Sequence, residues 1–190
     1  MAQELHIALL QAHLFWENPE ANRAAFDSKI AKVPESTDLI ILPEMFTTGF
    51  TMNPENISSL EGPKTLKWMQ GHAKKKDVAI VGSVVYQEGN KHYNRLFFVH
   101  PNGHYDAYDK KHTFTLAGEH EVYEAGTERI SLSFKGFKIC PLICYDLRFP
   151  VWARNTDEYD VLLYVANWPK PRINAWDALL KARAIENMSY

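Results

Sequence analysis

Apolar residues recur along this chain in two rhythms. Leu5 to Gln11 and Leu39 to Leu42 are short, nearly continuous apolar runs, the pattern of buried strands. Between them, Asn18-Pro19 predicts a helix start, with Asn as N-cap and Pro at the first helical position. Ala21, Ala25, Ile30 and Val33 supply the apolar face of that helix, and Pro34 helps to end it. Gly62-Pro63 opens a second helix, with Leu66, Met69 and Ala73 at helical spacing. Val78 to Tyr86 is rich in β-branched residues and reads as a strand. Glu88-Gly89-Asn90 turns it into His92 to His100, which predicts a hairpin. Asn102-Gly103 is a further turn signal, leading into Tyr105 to Tyr108.

Lys111 to Glu128 shows no period and is expected to be a long loop, a class of segment that often carries function. Strands are expected at Ile130 to Phe134 and at Phe137 to Ile143, joined by Lys135-Gly136, and again at Val161 to Ala166. A short helix is expected over Pro150 to Asn155 and a last one over Ala175 to Met188. Helices interleaved with continuous apolar strands predict an α/β layered fold, and the hairpins make its sheet mixed.

Composition narrows the function classes. The chain has 190 residues, with 21 Lys and Arg against 23 Asp and Glu, so the net charge of −2 leaves no electrostatic footprint for nucleic acid. Five Trp, nine Tyr and ten Phe are too many for a solvated, disordered chain. No apolar run approaches the ~20 residues of a membrane span. The best candidate, Val78 to Tyr86, is interrupted by Gly82 and Ser83. Met1-Ala2-Gln3-Glu4-Leu5-His6 lacks the basic start and apolar stretch of a signal peptide. Cys140 and Cys144 are the two cysteines, so a disulfide scaffold is excluded and a reducing cytoplasm is expected. Lys74-Lys75-Lys76 reads as a solvated helix C-terminus favoured by the dipole.

Cys144 is the sharpest chemical feature. It ends a strand and precedes a turn, a placement that can present a nucleophile beside backbone N–H groups able to hold an oxyanion. Cys140 lies within the strand. Four residues of strand rise would separate the two thiols by ~13 Å, too far for one metal ion or one disulfide. Glu44 ends the strand Leu39 to Leu42, where partial desolvation would suit it to act as a base. Lys110 and Lys111 end the strand-like Tyr105 to Asp109, and alternation turns one inward and its neighbour to solvent. There is no glycine-rich phosphate loop.

Taken together, these segments resemble the nitrilase superfamily of carbon–nitrogen hydrolases. Leu42-Pro43-Glu44-Met45-Phe46 resembles the family's glutamate motif. Tyr108-Asp109-Lys110-Lys111-His112-Thr113-Phe114 resembles its lysine motif, which selects Lys110. Cys144 to Pro150 resembles its cysteine motif, and Arg183-Ala184-Ile185-Glu186-Asn187 its late helix. Thr48-Gly49-Phe50, Leu116 to His120 and Ala166-Asn167-Trp168-Pro169 are similar to the bacterial omega-amidase-like branch.

The resemblance implies a single domain over residues 1–190 with a four-layer α-β-β-α sandwich. It also implies that the chain is shortened at its C-terminus, lacking strands that family members carry beyond Arg183 to Asn187. The implied activity is hydrolysis of a small amide, most of all a 2-oxoglutaramate-type 2-oxo acid amide, with ammonia release through a cysteine thioester. The alternatives are nitrilase, N-carbamoyl-amide hydrolase or aliphatic amidase activity, or a non-catalytic binding module. Glu44 is the implied base, Cys144 the nucleophile, and Lys110 with the N–H of Tyr145 the oxyanion donors. Glu119 resembles the second glutamate, which orients the lysine. Arg148 is a candidate for a substrate carboxylate, or else a brace for Asp146 or a neighbouring glutamate, while Trp168 and Phe50 are candidate pocket walls or else core aromatics. The resemblance implies no metal or organic cofactor, and a homodimer or higher homo-oligomer paired through the helical layer.

Overall fold

The computed structural model describes residues 4–190. Met1, Ala2 and Gln3, which open the segment read as lacking a signal peptide, lie outside the described residues. The first sheet runs in the order β1 (Ile7–Leu9), β2 (Leu39–Ile41), β3 (Ala79–Glu88), β4 (Lys91–Val99) and β5 (Tyr105–Asp109). β1, β2 and β3 are parallel, and β4 and β5 add antiparallel pairs. The expected hairpin is present, with Glu88 opposite Lys91 and Ile80 opposite Val99. The second sheet holds β6 (Leu132–Phe134), β7 (Phe137–Ile143) and β8 (Val161–Val165), with β7 antiparallel to β6 and parallel to β8.

Helices α1 (Pro19–Ile30) and α2 (Glu61–Lys76) cover the outer face of the first sheet. There Phe26, Ile30, Leu66 and Met69 share one buried cluster with Ile40, Ile80, Val84 and Phe97. On the sheet's other face Leu39, Val81, Leu96 and Phe98 meet Phe134, Ile139 and Leu142 of the second sheet. α5 (Ile173–Asn187) supplies the fourth layer, tied to the second sheet's side by Asn187, whose carboxamide oxygen accepts from the Asn155 N–H at 2.9 Å. The expected α-β-β-α sandwich is the observed architecture. Among the described residues no helix is long and apolar enough to cross a membrane.

Asn18 caps α1 as its sequence predicts, accepting from the Ala21 N–H at 3.1 Å. The buried face of that helix is different from the expected one. Asn22, Arg23, Phe26 and Ile30 are buried, while Ala21 and Ala25 sit at the margin. The polar pair can go inside because most of its hydrogen-bonding groups find partners there, Arg23 Nη2 being the exception. Asn22 donates to the carbonyls of Phe15 and Thr47, and Arg23 donates to Glu61 and Thr65.

β1 also corrects an expectation. It is an edge strand, covered only on its helix-facing side by Ala8 and Leu10, so Leu9 is 74% exposed. Lys111 to Glu128 is not one loop: it contains a 3-10 turn (Thr115–Ala117) and the short helix α3 (Glu119–Val122). α4 covers Pro150–Ala153.

Candidate active site

Three strand ends converge on one point between the sheets. The first carries Glu44. Leu42 still belongs to the sheet, its N–H bonded to the Val81 carbonyl at 2.8 Å, and Pro43 then breaks the ladder. Met45 takes a positive φ of 44°, and its N–H donates to the Ser83 hydroxyl at 2.9 Å. The next N–H, of Phe46, donates to the Ser83 carbonyl. A Cβ at position 82 would lie 2.9 Å from the Leu42 Cβ, so β3 can approach this bend only with glycine there. The bend turns the Glu44 carboxylate inward, where it is fully buried.

Lys110 comes directly after β5, its N–H held by the Asn94 carbonyl at 3.0 Å. Its ammonium donates to Glu44 Oε1 at 2.8 Å and to both oxygens of Glu119, at 3.1 and 2.9 Å. The Phe50 ring lies against it, 5.0 Å from centroid to Nζ. Lys111 faces the other way, over the Trp152 ring. Glu119 opens α3 and also accepts from the Phe114 N–H at 2.5 Å. Burial pushes the Lys110 pKa down, but the charges of Glu44 and Glu119 outweigh it and hold the ammonium above its ordinary range. Burial raises the Glu119 carboxyl, an effect that the Lys110 charge offsets only in part.

Cys144 follows β7 and starts a 3-10 turn (Cys144–Arg148) with φ of 43°, a left-handed conformation that costs a non-glycine residue about 1–2 kcal/mol. Asp146 secures that turn. Its Oδ2 accepts from the Ile143 N–H at 3.1 Å and from the Tyr108 hydroxyl at 2.7 Å, and its Oδ1 accepts from the His112 N–H at 2.9 Å. The His112 ring nitrogen bonds the same Oδ1 at 2.8 Å, and the ring stacks on Phe149 at 3.6 Å. His112 is thus engaged with Asp146 rather than with the thiol. Arg148 does not brace Asp146 either.

The Glu44 carboxylate and the Asn167 N–H stand close enough to the Cys144 thiol to bear on its titration, in opposite directions. Counting lone pairs separates the two oxygens of that carboxylate. Glu44 Oε1 is filled by Lys110 and by Asn94 Nδ2 at 2.9 Å, whereas Oε2 accepts only the Asn167 N–H, at 2.9 Å, and keeps one position for the thiol. Burial and the Glu44 charge push the thiol well above its ordinary pKa, so the resting form is the thiol. Cys140 is buried in β7 and pushed up to about 12, chiefly by burial, with no base beside it.

Cys144 opens onto a cavity of about 190 Å³. Phe50, Phe114, Tyr145 and Trp168 wall it, and Arg148 and Arg172 contribute charge. Drug-sized ligands usually occupy about 300–1,000 Å³, so this cavity suits a short chain. The structure therefore brings together every expected site residue. Sequence reasoning missed Asn94, which joins the two carboxylates by donating to Glu44 and to Glu119 Oε1 at 3.2 Å, and whose Oδ1 is buried without a partner among the described residues. It also missed the Asn167 N–H and Arg172. Asn94 stands beside Arg95 in the polar half of its strand, so nothing in the local pattern singled it out.

A carboxylate paired with a buried ammonium beside a buried thiol, set between two sheets, points to a class. The family model for carbon–nitrogen hydrolases matches residues 6–190, and the chain belongs to that family. Among curated relatives, "Omega-amidase YafV" of Escherichia coli strain K12 is 47% identical over 186 residues, covering 98% of this chain and 72% of that protein. "2-Oxoglutaramate amidase" of Bacillus subtilis is 36% identical, covering 97% of this chain and 73% of its own length. Among solved structures, XC1258 of Xanthomonas campestris, a CN-hydrolase superfamily protein with an arsenic adduct in its active site, superposes with a TM-score of 0.93 at 40% identity. The match covers 97% of this chain and 73% of that one.

Proposed function

We propose that this chain is an omega-amidase that hydrolyses the terminal amide of a short 2-oxo acid, of which 2-oxoglutaramate is the type. The observation that carries this reading is the Glu44 carboxylate, bonded to the Lys110 ammonium and near enough to the Cys144 thiol to raise its pKa, beside a small cavity. Two relatives named as amidases of this kind support the choice of substrate.

In this mechanism Glu44 takes the thiol proton as the sulfur attacks the amide carbonyl. General-base assistance of this kind is worth roughly 10²–10⁴-fold. The tetrahedral oxyanion is held by the Lys110 ammonium and by the N–H of Tyr145, which sits in the first turn of its 3-10 helix, where no internal acceptor exists. Glu119 and Asn94 hold Lys110 and Glu44 in register. Glu44 then passes its proton to the departing nitrogen, ammonia leaves, and a Cys144 thioester remains. A water gives its proton to Glu44 and attacks the thioester. Sulfur departs and recovers that proton, the carboxylic acid is released, and no cofactor enters the balance. Phe50 and Trp168 wall the substrate chain, and Arg148 meets its carboxylate.

The test is ammonia release from 2-oxoglutaramate against a panel of nitriles, N-carbamoyl amino acids and neutral short amides. Highest turnover on a nitrile or a carbamoyl compound would move the activity elsewhere within the family. Absence of turnover on all of them would favour a binding module. Because the resting group is a thiol, alkylation of Cys144 by iodoacetamide depends on Glu44. Glu44→Gln is expected to slow it by about 10²-fold at pH 7. An unchanged rate, read by mass spectrometry, would remove Glu44 as the base.

The reading extends to a homodimer in a reducing, cytoplasmic setting. Both cysteines are free, and the helical layer exposes Ile185 at 78% and Met188 at 93%. Sedimentation equilibrium is expected to give twice the mass of the chain. A monomer at micromolar concentration would remove the pairing.

A further inference from the structure

The chain has seven arginines. Five of them, Arg23, Arg95, Arg129, Arg154 and Arg183, donate to a carboxylate, a hydroxyl or a carbonyl. The other two, Arg148 and Arg172, have no ion-pair or side-chain hydrogen-bond partner among the described residues, and both line the cavity that contains Cys144. Of the three guanidiniums without a carboxylate partner among the described residues, two thus stand together beside Cys144, and the third, Arg154, is held by the Glu186 carbonyl.

Each guanidinium sits over an aromatic ring. The Arg148 guanidinium lies over the Trp168 ring, with Cζ 5.3 Å from the centroid, and that of Arg172 lies over Phe114 at 5.1 Å. A ring face engages the guanidinium plane and leaves its N–H edges free for a planar acceptor. The two arginines are also linked. Trp168, the platform under Arg148, donates its indole N–H to the Arg172 carbonyl at 2.9 Å.

Charge then gives the cavity a direction. Cys144 is buried and both arginines are exposed, so the nucleophile lies at the inner end and the guanidiniums at the outer end. Behind Cys144, the one ammonium is already shared by two carboxyl groups. An anionic substrate end finds no spare cation inside and two guanidiniums outside, while a neutral amide end is free to enter.

We propose that Arg172 is a specificity-determining residue. With Arg148 it forms a two-guanidinium clamp for a carboxylate at the far end of the substrate from the scissile amide. This rests on the amidase reading of the same site and adds the residue that separates anionic from neutral amides. Arg172 belongs to the loop ahead of α5, far in sequence from the glutamate, lysine and cysteine motifs.

The experiment compares kcat/KM for succinamate and for butyramide, two four-carbon amides that differ by a carboxylate in place of a methyl group. The parent chain is expected to prefer succinamate. Arg172→Gln is expected to reduce that preference by about 10–10²-fold, through KM for succinamate, the range for losing a charge-assisted hydrogen-bonded pair. Arg172→Lys, which keeps the charge but not the fork, is expected to fall between. A parent preference that survives intact in Arg172→Gln overturns the proposal, as does an equal loss on both amides. A parent chain that turns over butyramide as well as succinamate defeats the omega-amidase reading itself, and is recognised before any variant is made.

Discussion

Cys144→Ala is expected to lower ammonia release from 2-oxoglutaramate by about 10⁶-fold, the scale on which removing a covalent nucleophile acts in hydrolases. Cys140→Ala should retain turnover, because its thiol lies inside β7 and has no base against it. The contrast matters more than either result alone. Both residues are buried and only four positions apart, so a general intolerance of the strand to substitution would affect both. Loss of turnover in a folded Cys140→Ala protein would reassign the nucleophile. With a slow amide, intact-mass spectrometry should find the acyl group on the parent chain and on Cys140→Ala, and not on Cys144→Ala.

Lys110→Met is expected to lose about 10²–10³-fold in kcat, as when one oxyanion donor is removed. It should also lose about 3–5 kcal/mol of stability, the cost of leaving buried charges without their counterion. For a chain of this length that is a fall in Tm of about 6–20 °C. The pH dependence separates this cause from simple loss of packing. Burial already raises the Glu119 carboxyl, and Lys110 is the charge that opposes the rise. Without Lys110 the folded carboxyl moves further up, so the native state of the variant binds a proton that the unfolded state has released. Stability must then fall as pH rises above the unfolded carboxylate range. Melting curves from pH 5 to 8 should therefore diverge, with the deficit of Lys110→Met smallest at the acid end. Parallel curves would mean that the two carboxylates are not the source of the loss.

The parts of this molecule that were legible in its sequence are those whose cause is local. The β3–β4 hairpin follows from two apolar runs around Glu88-Gly89-Asn90, and the start of α1 from Asn18-Pro19. Glu44, Lys110 and Cys144 lie within contiguous motifs, and the structure joins them. What stayed hidden depends on distant partners. Asn94 meets Glu44 across 50 residues of chain, and the Asn167 N–H meets it across 123. No local pattern encodes either contact. Asp146 was visible as a residue but not as the support of the nucleophile's turn, since three of its donors come from Tyr108 and His112 on another segment. The buried face of α1 misled for a similar reason. Asn22 and Arg23 look like solvent residues until Thr47 and Glu61 are placed beside them. Exposure of β1 likewise depends on what covers it, which a run of apolar letters does not state.

In the proposed mechanism, the unequal loading of the Glu44 carboxylate has a consequence for the order of events in a turnover. One oxygen is fully occupied by Lys110 and Asn94, so it never carries the mobile proton. The other oxygen must receive the thiol proton, deliver it to the leaving nitrogen, and then receive another from water, always along the same lone pair. A single relay point cannot serve ammonia and water together. Water can be activated only after ammonia has vacated the spot, which makes the site a turnstile. High ammonia should hold it closed and slow the second half of the cycle, and an amine that lingers there should intercept the acyl group in place of water.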